Sequence, residues 1–425
     1  MLDAKVSRVG DRTLVPVAPE DRVATLDILR GFAMFGVLWS NLHFWYGGPW
    51  SVTALDSAIG WVVDWMVESR FYSLLGFLFG IGFAIQLQRA EARDSDGGKV
   101  FLRRMLALLG FGLVHGLFIW SGDILAEYAL LGFLLVLYRG LPGKRLAVAA
   151  ALTYLLLPYV IPIIFRTLNV PVGSRGFFQG GKVATSIYGH GTFAQIAIYR
   201  SQDFLYRLRG LATSGGYAGF LTLFLLGMMA ARAGLVSKLC GNTRQNTKWL
   251  LGALTGSLVI MAGALYWFSS FQTWWPARLL AGRSTWHDLA FWSPRGRVLT
   301  LSYDLMVWGN SAAYASALAL LALRPRWSAR LAPLAAVGRM PLTTYLTQSI
   351  LCTTLFYNYG FGWFGQVKNT GILAITVTIF ALQLAASSIW LRHFRFGPAE
   401  WLWRSCAYLR AQPMKVLLPP TGSGR

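Results

Sequence analysis

TLDILRGFAMFGVLWSNLHFW, residues 25–45, decides the fold: Asp27 and Arg30 stand at one lip of an apolar run, and Asn41 and His43 close the other. Crossing a hydrocarbon core takes about 20 mostly apolar residues in a helix. A run of that length, with its charges held at one end, reads as a membrane span. The rest of the chain agrees. Of 425 residues, 55% are hydrophobic and 13% charged, with a mean hydropathy of +0.48, whereas about a quarter of a soluble chain is charged. The composition excludes an ordinary soluble domain and predicts an all-α, polytopic transmembrane helical bundle.

Ten apolar runs follow one another, bounded by charge, Pro or Gly: approximately 27–46, 71–88, 101–120, 123–138, 146–165, 211–231, 248–269, 298–323, 333–357 and 371–391. The fourth is short. The net charge of +22 would suggest nucleic acid in a soluble protein, but here the basic residues gather at the ends of apolar runs, as the positive-inside rule describes. No nucleic-acid module surrounds them, so the lipid bilayer is the expected partner and nucleic acid is not. Arg89, Arg103, Arg104, Arg139, Lys144, Arg232, Lys238, Arg324, Arg330, Arg392 and Arg404 fall on one side, which the rule makes cytoplasmic, with both termini. The expected location is a membrane that the chain crosses many times.

The organisation that follows is a cytosolic tail (1–26), an N-terminal transmembrane half (27–165), an extracytoplasmic loop (166–210), a C-terminal transmembrane half (211–391) and a basic cytosolic tail (392–425). The first twenty residues mix charges with two prolines and lack an apolar core, so they read as a tail and not as a cleaved signal. A second outer loop is expected over about 270–297. Asp56–Phe71 alternates apolar and charged residues, the pattern of an amphipathic helix lying in the outer interface. Trp120, Trp274, Trp275, Trp286, Trp292 and Trp363 sit near predicted outer ends, where indoles favour the headgroup layer. Cys240, Cys352 and Cys406 have no paired spacing and read as packing residues. The five histidines lack metal-ligand spacing, so no metal is expected.

An ionisable group near the bilayer centre costs about 2.5–3.5 kcal/mol on insertion scales, so such groups face a bundle interior or a cavity. Asp27 and Arg30 share a helical face. They are either an interfacial ion pair or a cytosol-facing basic site for an anionic ligand. In HGLFIWSGDILAEYALLG (115–132), Gly122 permits a tight turn, Asp123 stands at an N-cap position, and Glu127 lies one turn further on. Folding His115 back toward Asp123 or Glu127 would give an imidazole with a carboxylate neighbour, the pairing used in general-base catalysis. A capping aspartate and a structural histidine explain the same letters. In GRMPLTTYLTQS (338–349), Pro341 follows Arg339, Thr344 and Gln348 share a face, and so do Tyr345 and Ser349. Such groups either join helices or form a site.

The segments LDILRGFAMFGVL, RFYSLLGFLFGIGF, HGLFIWSGDIL, GRMPLTTYLTQSILCTTLFYNYG and IWLRHFRFGPAEWLWR, in this order, resemble the YeiB-like bacterial inner-membrane proteins, domain of unknown function 418. That resemblance implies a bundle of about ten membrane helices and no particular activity. The first span alone also resembles membrane acyltransferases that act on extracytoplasmic sugars, which open with an acid, two residues, then Arg-Gly, and carry a histidine eleven residues after the arginine. Asp27, Arg30 and Gly31 match; the histidine position is Asn41, and His43 is two further on. The expectation is an acyltransferase-like membrane protein using a cytosolic acyl thioester, acyl-CoA as co-substrate with no bound cofactor, to modify a small-molecule or glycan hydroxyl outside. Its catalytic residues would be His115, Asp123 and Glu127; its substrate-binding residues would be Asp27, Arg30, Asn41, His43, Arg339, Tyr345 and Gln348, with Asn41 donating to the oxyanion. A small-solute transporter and a non-catalytic membrane protein remain as alternatives.

Overall fold

The computed structural model describes residues 24–48, 53–91, 97–172, 181–267 and 294–416. Among these residues there is no strand, only one bridge pairing Phe394 with Lys415. The helices are α1 (Ala24–Asn41), α2 (Ala54–Val62), α3 (Arg70–Glu91), α4 (Gly97–Phe118), α5 (Leu125–Leu135), α6 (Gly143–Thr167), α7 (Gly181–His190), α8 (Phe193–Thr213) and α9 (Ala218–Arg232). They continue as α10 (Leu235–Gly241), α11 (Thr243–Trp267), α12 (Pro294–Ala322), α13 (Pro325–Arg339), α14 (Pro341–Phe356), α15 (Asn369–His393) and α16 (Pro398–Tyr408). Two π-helical turns, Leu42–Tyr46 and Val63–Val67, follow α1 and α2.

By length and composition, five helical stretches can cross a membrane: 54–91, 97–118, 143–167, 300–322 and 369–393. α8 and α9 form a sixth if counted together, bent by 66°. The run expected at 123–138 is helical over Leu125–Leu135 with a 3-10 turn to Tyr138, a short apolar piece. The run expected at 333–357 is two helices, because Pro341 supplies no backbone donor and the chain breaks at Met340 between α13 and α14. The largest departure is at 166–210. Read as a loop, it contains α7 and α8, and α8 drives Arg200, Asp203 and Arg207 into the interior.

The segment 56–71, expected as an amphipathic helix in the outer interface, turns its polar face to protein and not to water. Asp56, Asp64, Glu68 and Arg70 are buried, while Leu55, Trp61, Val62 and Met66 are exposed. In lipid the apolar face turns outward and the polar face seeks protein, so amphipathic periodicity fixes the helix but not which face is buried. Trp120, expected as an anchor, is buried against Tyr46, whereas Trp363 is exposed at 39%. Trp274, Trp275, Trp286, Trp292 and most of the loop expected at 270–297 lie outside the described residues, as do 1–23 and 417–425. Cys352 packs in the core as expected, Cys406 is exposed, and the side chain of Cys240 lies outside the described set.

Packing brings α1 against α13, α3 against α9, α4 against α5, and α16 against α4. α1 and α13 cross at two glycines. A Cβ on Gly338 would overlap the Asp27 carbonyl oxygen, and one on Gly31 would overlap that of Leu334. This backbone-to-backbone contact brings the residue preceding Arg339 against the turn that holds Asp27 and Arg30.

The C-terminal helix α16, beyond the last apolar span, fastens the start of α14. The Glu400 carboxylate accepts the N–H groups of Leu342 (2.6 Å) and Thr343 (3.0 Å) and the Thr343 hydroxyl (2.5 Å), satisfying donors that a helix N-terminus leaves open. Burial nevertheless raises its pKa from the ordinary glutamate value, against those hydrogen bonds. A raised folded-state pKa means that the folded protein holds the proton longer. The Glu400 contribution to stability is therefore fully present at low pH and declines as pH rises from the ordinary glutamate range through the folded-state value. Stability of Glu400→Gln against pH, measured by thermal unfolding, should lack this decline; an unchanged pH slope would contradict the assignment.

Candidate functional site

The hairpin from α4 to α5 builds the most chemically organised cluster. α4 ends at Phe118, and the chain turns through Trp120–Asp123 into α5. Gly112 lets α4 lie directly on the first turn of α5, where a Cβ would overlap the Ala126 nitrogen. Within that close fit Asp123 does two things. Its Oδ2 accepts the Ala126 N–H at 2.7 Å, an end cap for α5, and its Oδ1 lies 2.8 Å from His115 Nδ1. Both side chains are completely buried.

An ionised carboxylate can only accept, so facing one Nδ1 carries the hydrogen, and whenever the ring is neutral Nε2 is left as a bare lone pair. His115 Nε2 is buried and has no hydrogen-bond partner. An imidazole oriented on one nitrogen and open on the other is the arrangement of a general base. The Tyr345 ring lies 5.1 Å from the His115 ring and Trp120 meets it edge-on at 6.2 Å. The Tyr345 hydroxyl accepts the Ile124 N–H at 3.3 Å, holding α14 to the hairpin. Tyr345 is also within electrostatic reach of Asp123, Tyr72 and Glu127.

Glu127 has other partners than His115. Its Oε1 accepts the Tyr217 hydroxyl at 2.8 Å and lies 3.8 Å from Arg207 Nη2. Arg207 stacks on Trp45 at 4.5 Å, and Trp45 meets Trp120 at 5.7 Å. Arg200 Nε donates to the Leu117 carbonyl at 2.9 Å, just beyond His115. Ser121 shares a 3.3 Å hydrogen bond with Tyr188. Arg200, Arg207 and Tyr188 were missed in the sequence because the segment 166–210 read as a loop, and Tyr217 because it lay in the apolar run 211–231. The available signal was three ionisable residues at 200, 203 and 207, spaced for one helical face.

The first-span residues divide between two ends. Arg30 Nη1 and Asp27 Oδ1 form an ion pair at 2.7 Å. Arg339 follows Gly338 at the α1–α13 crossing, and its Nε is buried without a hydrogen-bond partner. Arg104 feels the charge of Arg30, stacks on Trp403 at 4.3 Å and donates to Gln86. Three guanidinium groups therefore gather at one end of α1 and α4. At the other end, Asn41 accepts the Tyr72 hydroxyl. His43 is buried with its Nε2 3.9 Å from Asp64 Oδ1, apart from the hairpin cluster's hydrogen bonds. Gln348 donates to Gln383 Oε1 at 2.9 Å, and Gln383 returns to the Thr344 carbonyl at 3.0 Å, a bridge between α14 and α15. Among the described residues no group of three or more His, Cys, Asp and Glu could hold a metal.

Comparison with known proteins places these residues in a wider set. Residues 230–410 match the family described as "Protein of unknown function (DUF418)". Over 428 residues the chain is 34% identical to "Uncharacterized protein YxaH" of Bacillus subtilis (strain 168), covering 95% of this chain and 98% of that one. It is 28% identical over 410 residues to "Uncharacterized protein YeiB" of Escherichia coli (strain K12), covering 92% and 98%. A protein of Bacillus acidopullulyticus, "Uncharacterized 39.9 kDa protein in amylase 3'region", is 28% identical over 94% of this chain and 97% of its own length. The family match begins after α8. The long relatives extend over the hairpin cluster as well.

Proposed function

This chain belongs to the YeiB-like DUF418 family, and from that premise we propose that it is an inner-membrane acyltransferase-like enzyme with ten crossings and both termini in the cytoplasm. In this reading α13 and α14 are one broken crossing, and the three-arginine end faces the cytosol. The observation that carries the reaction class is the buried His115–Asp123 pair with Nε2 open. Nε2 takes the proton of an acceptor hydroxyl from the outer side; the oxygen bonds to the thioester carbonyl carbon; the carbon–sulfur bond breaks, and the thiolate leaves and takes up a proton. Tyr345 borders the reacting atoms, and Asn41, whose Oδ1 accepts the Tyr72 hydroxyl, offers its amide N–H to the developing oxyanion. Glu127, held by Tyr217 and Arg207, keeps α8 and α9 against the hairpin.

The donor end follows from charge. Arg30, Arg104 and Arg339 present more positive charge than Asp27 offsets, with an unused Nε on Arg339, which suits phosphates. Arg104 and His115 are eleven residues apart on α4, about 16 Å at 1.5 Å per residue. A flexible pantetheine arm suits that reach between anchored phosphates and a carbonyl at His115. Calorimetric titration of the purified protein with acyl-CoA should show binding that weakens about tenfold or more in Arg30→Ala, the loss of one charge-assisted contact. No binding by the wild type at saturating thioester would contradict the donor site.

One observation favours a carrier instead: the 66° break between α8 and α9 places Tyr217 on the buried Glu127, and broken helices line solute sites in transporters. Solute counterflow in proteoliposomes without any thioester would decide for that reading.

A further inference from the structure

The proposed reaction leaves a second group of buried ionisable residues unused. Arg70 opens α3 and is fully buried. Its Nη1 donates to the carbonyls of Asp64 at 2.9 Å and Glu68 at 2.7 Å, with Ser69 between them held at a φ of +62°. Nε and Nη2 have no hydrogen-bond partner. Together those two nitrogens form the fork with which a guanidinium grips an oxyanion through parallel bonds. Buried donors left unmade are costly, more so on a charged group.

Beside this fork an acceptor is equally unused. Asp64 is buried and its Oδ1 accepts no hydrogen bond; His43 Nε2 approaches it only to 3.9 Å. Glu68 is buried two residues before Arg70. From α12, Tyr303 places its ring 5.7 Å from the guanidinium, Ser311 donates to the Arg70 carbonyl at 2.8 Å, and the Tyr314 hydroxyl donates to the Met66 carbonyl at 2.7 Å. An anion alone would meet the Asp64 and Glu68 carboxylates. A cation alone would meet Arg70. A molecule that carries both charges satisfies both sets of open atoms.

We propose that the site between Val63–Arg70 and α12 binds a zwitterion that joins an oxyanion to a primary ammonium. The oxyanion sits on Arg70 Nε and Nη2, and the ammonium donates to Asp64 Oδ1. Such chemistry comes from an ethanolamine phospholipid headgroup or from a free amino acid. Exposed Trp61 and Met66, with Trp65 packed 5.8 Å from Trp61, give the site an apolar flank that faces lipid. Because Arg70 is sealed, entry requires the turn Val63–Ser69 to part from α12, where the Tyr314 hydroxyl holds it.

The test uses the full chain purified in detergent, with direct binding measured for short-chain phosphatidylethanolamine, short-chain phosphatidylcholine and L-alanine. Binding of phosphatidylethanolamine, of alanine or of both supports the site. The lipid alone identifies a headgroup, and alanine alone a free amino acid. Phosphatidylcholine, whose quaternary ammonium cannot donate, should bind about tenfold more weakly than its ethanolamine counterpart where the lipid binds. Arg70→Lys keeps the charge but loses the fork, and should weaken binding by a similar factor. Asp64→Asn, nearly equal in shape, should remove the preference for a primary ammonium, and it decides the matter if Arg70→Lys does not fold. Failure of all three probes to bind the wild type, unchanged binding in Arg70→Lys, or a retained ammonium preference in Asp64→Asn would overturn the proposal. None of these results depends on acyl transfer.

Discussion

His115→Gln is expected to lower acyl transfer by about 10²–10⁴-fold, the contribution of a positioned general base, with thioester binding at the arginine end unchanged. Gln fills a similar space but offers no basic nitrogen. Asp123→Asn should lose most of the same activity, because an amide no longer fixes the imidazole with Nδ1 as donor. Its effect on folding should be small as long as the amide oxygen still accepts the Ala126 N–H that Asp123 now binds. Turnover and thioester affinity, measured separately, check both expectations. Unchanged turnover in His115→Gln would remove His115 as the base.

Gly338→Val is expected to destabilise the protein strongly. The new side chain would begin inside the Asp27 carbonyl oxygen, and the obstacle is backbone, which has no rotamer to move to. Overpacking of this kind costs about 1–3 kcal/mol, and more where nothing can relax. α1 must lift from α13, which separates Arg339 from the Asp27–Arg30 pair. The variant should unfold at a distinctly lower temperature than the wild type and lose affinity for acyl-CoA. An equally stable variant with normal affinity would mean that the crossing does not set the donor end.

Much of the fold was legible because lipid imposes a simple rule on helix length and on where charge sits. The helical runs, the short fourth one and the tight turn at Gly122 follow from that rule. The orientation of 56–71 was not legible, since the same periodicity serves a helix resting on water or a helix turned inward toward protein. The helices of 166–210 were hidden for a related reason. α8 is polar along much of its length, with Arg200 bound to the Leu117 carbonyl and Arg207 facing Glu127, both far away in sequence, so local hydropathy reported a loop.

At the candidate site, the sequence brought His115 within reach of two carboxylates without choosing between them. The choice fell to Asp123 because it is fixed at the start of α5, whereas Glu127 points toward α9 and Tyr217. Tyr345 was singled out from spacing on α14, and it stands against the imidazole. Gln348, singled out by the same spacing, bridges to α15. Period alone cannot separate a face turned to a site from a face turned to a neighbouring helix.

The central claim is transfer from a donor held at the arginine end to a hydroxyl that reaches His115 from the other side. The most direct measurement encloses labelled acyl-CoA inside oriented proteoliposomes, places glycerol and neutral oligosaccharides outside, and follows both free thiol inside and labelled ester outside. The account predicts that both accumulate together with the wild type and that neither does with His115→Gln. Ester formed equally by the two proteins, or no thiol release from enclosed thioester by the wild type, would contradict it.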